Sequence, residues 1–118
     1  MGLFKSIVKK AIGAKEFEFL VAGVTFKNGR RTRQAILRAM KYKDNGFENY
    51  TITLEREQFE GQTAIAVYSN GEQIGYVPKD LVDEIDKAWK QEYMITSCEV
   101  KGNGKDTPMG CLIKAVFR

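Results

Sequence analysis

A chain of 118 residues with 43% hydrophobic and 29% charged side chains has the composition of one folded globular domain, not of a disordered or collagen-like chain. It has no histidine, which removes the side chain most used for proton transfer near neutral pH together with most Ser-His, Cys-His and zinc-His sites; its two cysteines are too few for a structural zinc site. The net charge of +4 is uneven: residues 1–43 carry eleven Lys or Arg against Glu16 and Glu18, a net of +9, and the rest carries 8 basic and 13 acidic residues, a net of −5, which points to an anionic partner, nucleic acid or a membrane surface.

Residues 3–12 place Leu3, Phe4, Ile7, Val8, Ala11 and Ile12 at helical spacing with Lys5, Ser6, Lys9 and Lys10 opposite, and Gly13 offers a stop. This predicts a short cationic amphipathic helix over residues 1–15 with its linker, ahead of a domain over 16–118. Lysines interrupt every apolar run, so the segment does not have the form of a secretory signal, and no stretch approaches the roughly 20 residues that span a bilayer; a cytoplasmic location is expected. Glu16 to Phe26 (EFEFLVAGVTF) alternates and then turns apolar, the pattern of a strand entering a buried sheet. Asn28-Gly29 makes a turn, after which Thr32 caps a helix running to about Tyr42 with Ile36, Leu37 and Met40 inward and Arg31 and Arg38 on its outer face.

Residues 50–57 (YTITLERE) alternate as a half-buried strand, with Tyr50, Ile52 and Leu54 on one side. AIAVYS, Asn70-Gly71 and EQIGYV follow as a hairpin, because Asn-Gly accepts the positive φ angles of a type I′ turn. Pro78 ends the second arm and Asp80 caps a helix with Leu81, Val82, Ile85, Ala88 and Trp89 inward. YMITSCEVK and MGCLIKAVF, parted by a loop around Asn103-Gly104, form the last strand pair, on which Cys98 and Cys111 are either one disulfide or reduced packing thiols. Five or six short antiparallel strands and two internal helices predict a mainly β, α+β domain, with the strands curled into a small barrel that removes their edges.

VAGVTF (21–26), ITLERE (52–57) and TAIAVYSNGEQIGYVPKDLVDEI (63–85) together resemble the HIRAN domain, found alone in bacteria and phages and attached to Swi/Snf-type helicases in eukaryotes. The resemblance covers roughly residues 17–117 and is most specific from Ala64 to Lys79. It implies an OB-like barrel which, in the helicase members, captures single-stranded DNA and recognises the free hydroxyl at its 3′ end, a task belonging to DNA repair. It further implies a pocket built from an aromatic after the first strand, an N-P-Y-D segment before A-I, and residues following the I-G turn. Thr25 and Phe26 fall on the first of these, Phe59 and Glu60 on the second, and Tyr76 and Lys79 on the third. Gln58 to Ala64 (QFEGQTA) departs from the family's N-P-Y-D-x-N-A: Phe59 keeps a stacking face without the hydroxyl, Glu60 keeps a carboxylate, and one extra residue stands between the aromatic and Ala64.

On this reading Phe26, Phe59 and Tyr76 are base-stacking candidates, with core packing as the competing role. Lys27, Arg30, Arg31, Arg33 and Arg38 are candidates for phosphate contacts, with a solvated helix face as the competing role. Glu99-Val100-Lys101 resembles the carboxylate-x-lysine end of a metal-dependent nuclease but has no companion acids, so no catalytic residue, metal or cofactor is assigned. The expected function is a non-enzymatic module that holds single-stranded DNA, or RNA, by stacking and phosphate contacts, a free 3′ end being a candidate feature of the ligand. The alternative is an adaptor whose helix over residues 3–12 docks on a protein partner or a membrane surface.

Overall fold

The computed structural model describes residues 13–118, so the helix expected over residues 3–12 lies outside the described residues. The chain order is β1 (Lys15–Leu20), α1 (Arg33–Arg38), β2 (Ile52–Phe59), β3 (Gln62–Ser69), β4 (Glu72–Tyr76), α2 (Lys79–Ala88), β5 (Tyr93–Lys101) and β6 (Gly110–Phe117). All strand pairs are antiparallel, and they form two three-stranded sheets in the orders β1-β6-β5 and β2-β3-β4. The domain is therefore α+β and mainly β, as its alternating segments require.

No closed barrel is found among the described residues, which corrects the expectation of a barrel without edges. β1 ends at Leu20, not at Phe26, because Gly23 takes φ 75° and turns the chain after one bridge between Ala22 and Tyr76. At that corner Ala22 and Tyr76 exchange both backbone hydrogen bonds, 2.7 and 2.9 Å, while Val21 N donates to Cys111 O of the other sheet at 2.9 Å. On the opposite side side-chain hydroxyls take the place of a ladder: Tyr93 Oη accepts from Leu54 N at 2.9 Å, and Tyr50 Oη donates to Cys98 O at 3.4 Å. The sheets are stitched at both sides but zipped at neither.

Between them Leu37, Ile65, Ile74, Ile85, Met109, Ile113 and Phe117 are fully buried, each aliphatic side chain contributing about 1.5–3 kcal/mol by leaving water. Asn70 and Gly71 adopt φ 50° and 81°, the two positive values that the hairpin turn demands. Thr32 caps α1 by accepting from Ala35 N at 3.0 Å, as its position indicates. The helix does not continue uniformly to Tyr42: from Ala39 to Asp44 it widens into a π-helical turn closed by Asn45 N donating to Met40 O. Asp80 does not cap α2; Pro78 occupies the cap position and Asp80 lies in the first turn, where a carboxylate still suits the helix dipole. No helix among the described residues is long and apolar enough to cross a membrane.

Cys98 and Cys111 are free and buried, diagonal neighbours on β5 and β6 with their sulfurs 3.0 Å apart. Glu99 and Lys101 pair with each other at 3.6 Å. Among the described residues no group of three or more His, Cys, Asp or Glu is placed to hold a metal ion.

Candidate nucleic-acid interface

The corner at Ala22–Tyr76 organises the most distinctive surface of the domain. Residues 23–26 form a tight turn, Phe26 N donating to Gly23 O at 3.2 Å, and the turn leaves Phe26 two-thirds exposed at 66%. Gln34 of α1 locks the turn in place. Its amide nitrogen donates to Val24 O and Met109 O, and its oxygen accepts from Met109 N, all at 2.8–3.0 Å. An exposed aromatic on a turn fixed at this many points loses little conformational freedom when a ligand covers it.

Beside Phe26 lies Arg33, the first residue of α1. Only 6% of its surface is exposed, so it does not lie on a solvated helix face, the competing role that its place in a basic run offers. Its guanidinium carbon stands 5.9 Å from the Phe26 ring centre and 5.7 Å from that of Tyr76, within cation–π range of both. Arg33 Nε donates to Asn28 Oδ1 and Nη1 to Gly23 O, both at 2.9 Å. Asn28 is held in turn by donating to Gln73 O at 2.6 Å. The candidate aromatics Phe26 and Tyr76 are thus brought together, with a cation between them.

The strand register extends this surface. Tyr76 pairs with Ala66, and Ala66, Ala64 and Gln62 pair with Glu55, Glu57 and Phe59. Because paired residues of an antiparallel sheet share a face, Tyr76, Glu55, Glu57 and Phe59 all lie on one side of the β2-β3-β4 sheet. Tyr76 Oη donates to Glu57 Oε1 at 3.2 Å, across the small Ala66 and Ala64. Phe59, 70% exposed, continues the row at the hairpin tip, where Glu60 takes φ 52° in the turn. Tyr68 sits on the same face, and burial, followed by the charges of Glu55 and Glu57, raises its hydroxyl pKa above the ordinary tyrosine value.

Next to the stack, Lys27, Asn28, Gly29, Arg30, Arg31 and Arg33 line an open depression of about 430 Å³ together with Glu72 and Gln73. Lys27 bridges to Thr32 and closes the loop. Arg31 does not offer its charge freely: it makes a two-pronged ion pair with Glu72 at 2.7 and 3.0 Å. Lys27 and Arg30 are exposed on the rim, as is Thr25 on the neighbouring turn. Lys79 stands apart. It is exposed at the start of α2, whose C-terminal end meets Arg56 on the other face of the sheet, with Arg56 4.1 Å from the Trp89 ring centre. Arg38 lies against Gly104 rather than in the depression.

Glu57 and Tyr68 belong to this face although the candidate residues did not include them. Glu57 continues the alternation of Thr51, Thr53 and Glu55, a signal present in the sequence; nothing local marks Arg33 as the buried member of its basic run.

Two tyrosines supply a measurable signature of the packing. Tyr50 is buried near Cys98, and Tyr50 and Tyr68 both have hydroxyl pKa values above the usual 10.0, burial being the largest cause in each. A folded-state pKa raised in this way contributes stability that is fully present below pH about 10 and lost as pH rises further, since the unfolded chain ionises first. At pH 10–11 the folded protein is expected to form less tyrosinate than the same chain unfolded in denaturant at the same pH, the remainder of its five tyrosines appearing together with alkaline unfolding. Full ionisation before any loss of structure is incompatible with this packing.

Comparison of the chain with protein-family models, with curated protein sequences and with solved structures gives no match.

Proposed function

We propose that this domain is a non-enzymatic module that binds single-stranded nucleic acid, DNA in the first instance, by stacking a base on Phe26 and placing the neighbouring phosphates along Lys27 and Arg30. The observation that carries the reading is the exposed Phe26 ring held over a buried guanidinium at the edge of a basic depression. Stacking on an aromatic side chain contributes about 1–3 kcal/mol per base and tolerates any base, because each has a π face. Phe59 offers a second platform on the same face of the sheet. Glu55 and Glu57 between the two repel phosphates, so the backbone is expected to follow the basic rim while bases turn toward the sheet.

The resemblance to HIRAN domains supports the same ligand class, and the two sheets joined at Ala22–Tyr76 are taken in this reading as an opened relative of an OB-like barrel. Recognition of a free 3′ hydroxyl belongs to the proposal as a separable part, with Glu57 and Glu60 as the available acceptors.

Fluorescence anisotropy with a labelled oligonucleotide tests it. With two phosphate contacts to a single strand, affinity is expected to fall roughly 7-fold between about 50 and 200 mM salt. No binding at low salt rejects the proposal. Equal affinity for 3′-hydroxyl and 3′-phosphate oligonucleotides rejects the end-recognition part alone.

A further inference from the structure

Arg33 is the one residue of the basic loop whose charge is both buried and without an opposite charge. Its two hydrogen bonds go to neutral acceptors, Asn28 Oδ1 and Gly23 O, and no carboxylate lies within ion-pair distance of it among the described residues. Glu72, the acid nearest in the depression's wall, is engaged by Arg31. Holding an unpaired cation at 6% exposure is unfavourable, and two aromatic faces offset only part of that cost. Nη2 has no hydrogen-bond partner among the described residues, and no side-chain nitrogen there is both fully buried and unsatisfied, so Nη2 keeps some accessible surface, and Arg33 is among the residues that line the depression.

We infer that the depression is a seat for a phosphate monoester, anchored by Arg33 Nη2 and framed by Lys27 and Arg30. The inference rests on the nucleic-acid reading for the identity of the ligand and goes beyond it in naming which phosphate is bound. A seat with three cations not otherwise paired matches the dianion of a terminal phosphate better than the single charge of an internal diester. The spacing suits one nucleotide: the guanidinium stands 5.9 Å from the Phe26 ring, so a base stacked on Phe26 carries its own phosphate to the mouth of the seat. Arg33 cannot leave this position readily, because Asn28 and Gly23 fix two edges of the fork and leave the third for the ligand. The shared chemistry, a phosphate monoester on a nucleoside, is found on the 5′ end of a cleaved strand and on a free nucleoside monophosphate.

The test compares four probes on the intact chain: a 5′-phosphorylated and a 5′-hydroxyl oligonucleotide of one sequence, adenosine monophosphate and adenosine. At least tenfold tighter binding of the phosphorylated oligonucleotide over its hydroxyl counterpart is expected, and the preference is expected to disappear in Arg33→Gln. Since that variant also loses packing, the double variant Lys27→Ala with Arg30→Ala, which removes only exposed groups, is expected to lower the preference without moving Tm. Adenosine monophosphate binding as tightly as the phosphorylated oligonucleotide, and adenosine not at all, assigns the seat to the free nucleotide. Equal binding of the two oligonucleotides, with no adenosine monophosphate bound, overturns the inference while leaving the nucleic-acid proposal intact. Binding of adenosine monophosphate with no oligonucleotide bound supports the seat and rejects the nucleic-acid proposal. If none of the probes binds, both are rejected.

Discussion

Replacing Gly75 by alanine is expected to cost more than about 3 kcal/mol of stability and to remove ligand binding with it. Gly75 holds φ 157°, and a Cβ built on it lies 2.2 Å from Ala22 O and 2.5 Å from Val21 Cγ1. Overpacking usually costs about 1–3 kcal/mol because side chains rotate aside. Here the nearest atom is a backbone carbonyl already bonded to Tyr76 N at 2.9 Å, and it cannot move without opening the corner that joins the sheets. That corner also sets Tyr76 opposite Arg33, so the platform is lost together with the stability. Urea denaturation measures the first effect and anisotropy the second. Gly71→Ala is the comparison: its φ of 81° is strained for alanine, but no atom lies within 4 Å of the new carbon, so about 1–2 kcal/mol is expected. Equal costs at the two positions would falsify the assignment of the Ala22–Tyr76 corner as the joint of the fold.

Phe26→Ala has the opposite signature, a large effect on binding with little on stability. The side chain is 66% exposed, so its removal takes little apolar area out of the interior and forfeits one half-desolvated cation–π contact with the buried Arg33, about 1–2 kcal/mol, with Tyr76 still facing the guanidinium. The lost stacking, about 1–3 kcal/mol, corresponds to a drop of roughly 5- to 150-fold in affinity for a single strand. Tyr42, 58% exposed and 5.4 Å from Lys41, carries a similar aromatic and cation outside the Phe26–Arg33–Tyr76 stack. Tyr42→Ala is therefore expected to leave binding unchanged. Affinity losses of equal size in both variants, or a Phe26→Ala protein with a markedly lower melting temperature, reject the stacking role.

The site was partly legible in one dimension. Phe26 and Tyr76, fifty residues apart, are candidates through the resemblance, and both lie within cation–π range of the same Arg33 guanidinium. Glu57 follows from alternation alone, since a strand puts every second residue on one face, and Phe59, a candidate through the resemblance, joins that face because β2 runs two residues beyond the expected 50–57. Arg33 was not legible as a buried group: in the run Arg30, Arg31, Thr32, Arg33 nothing local separates the residue that faces solvent from the one that faces the sheet. Its burial depends on where α1 docks, and therefore on Gln34 reaching Val24 and Met109.

What the amino-acid order determined by itself was local. Strand periodicity, the Asn70-Gly71 turn, the Thr32 cap and the absence of histidine each depend on residues a few positions apart or on composition, and steric and hydrogen-bonding rules act at that range without help from the rest of the chain. Tertiary structure alone decided how the strands associate and which charges remain available. Six short strands satisfy the same local rules in a closed barrel or in two open sheets, and the choice rests on one glycine turn after Leu20 and on hydroxyl bonds from Tyr50 and Tyr93 in place of a ladder. In the same way, Arg31 and Arg33 carry equal charge in the sequence. Only the approach of Glu72 to one and of two aromatic rings to the other makes the first a neutralised surface pair and the second an unpaired cation at the candidate site.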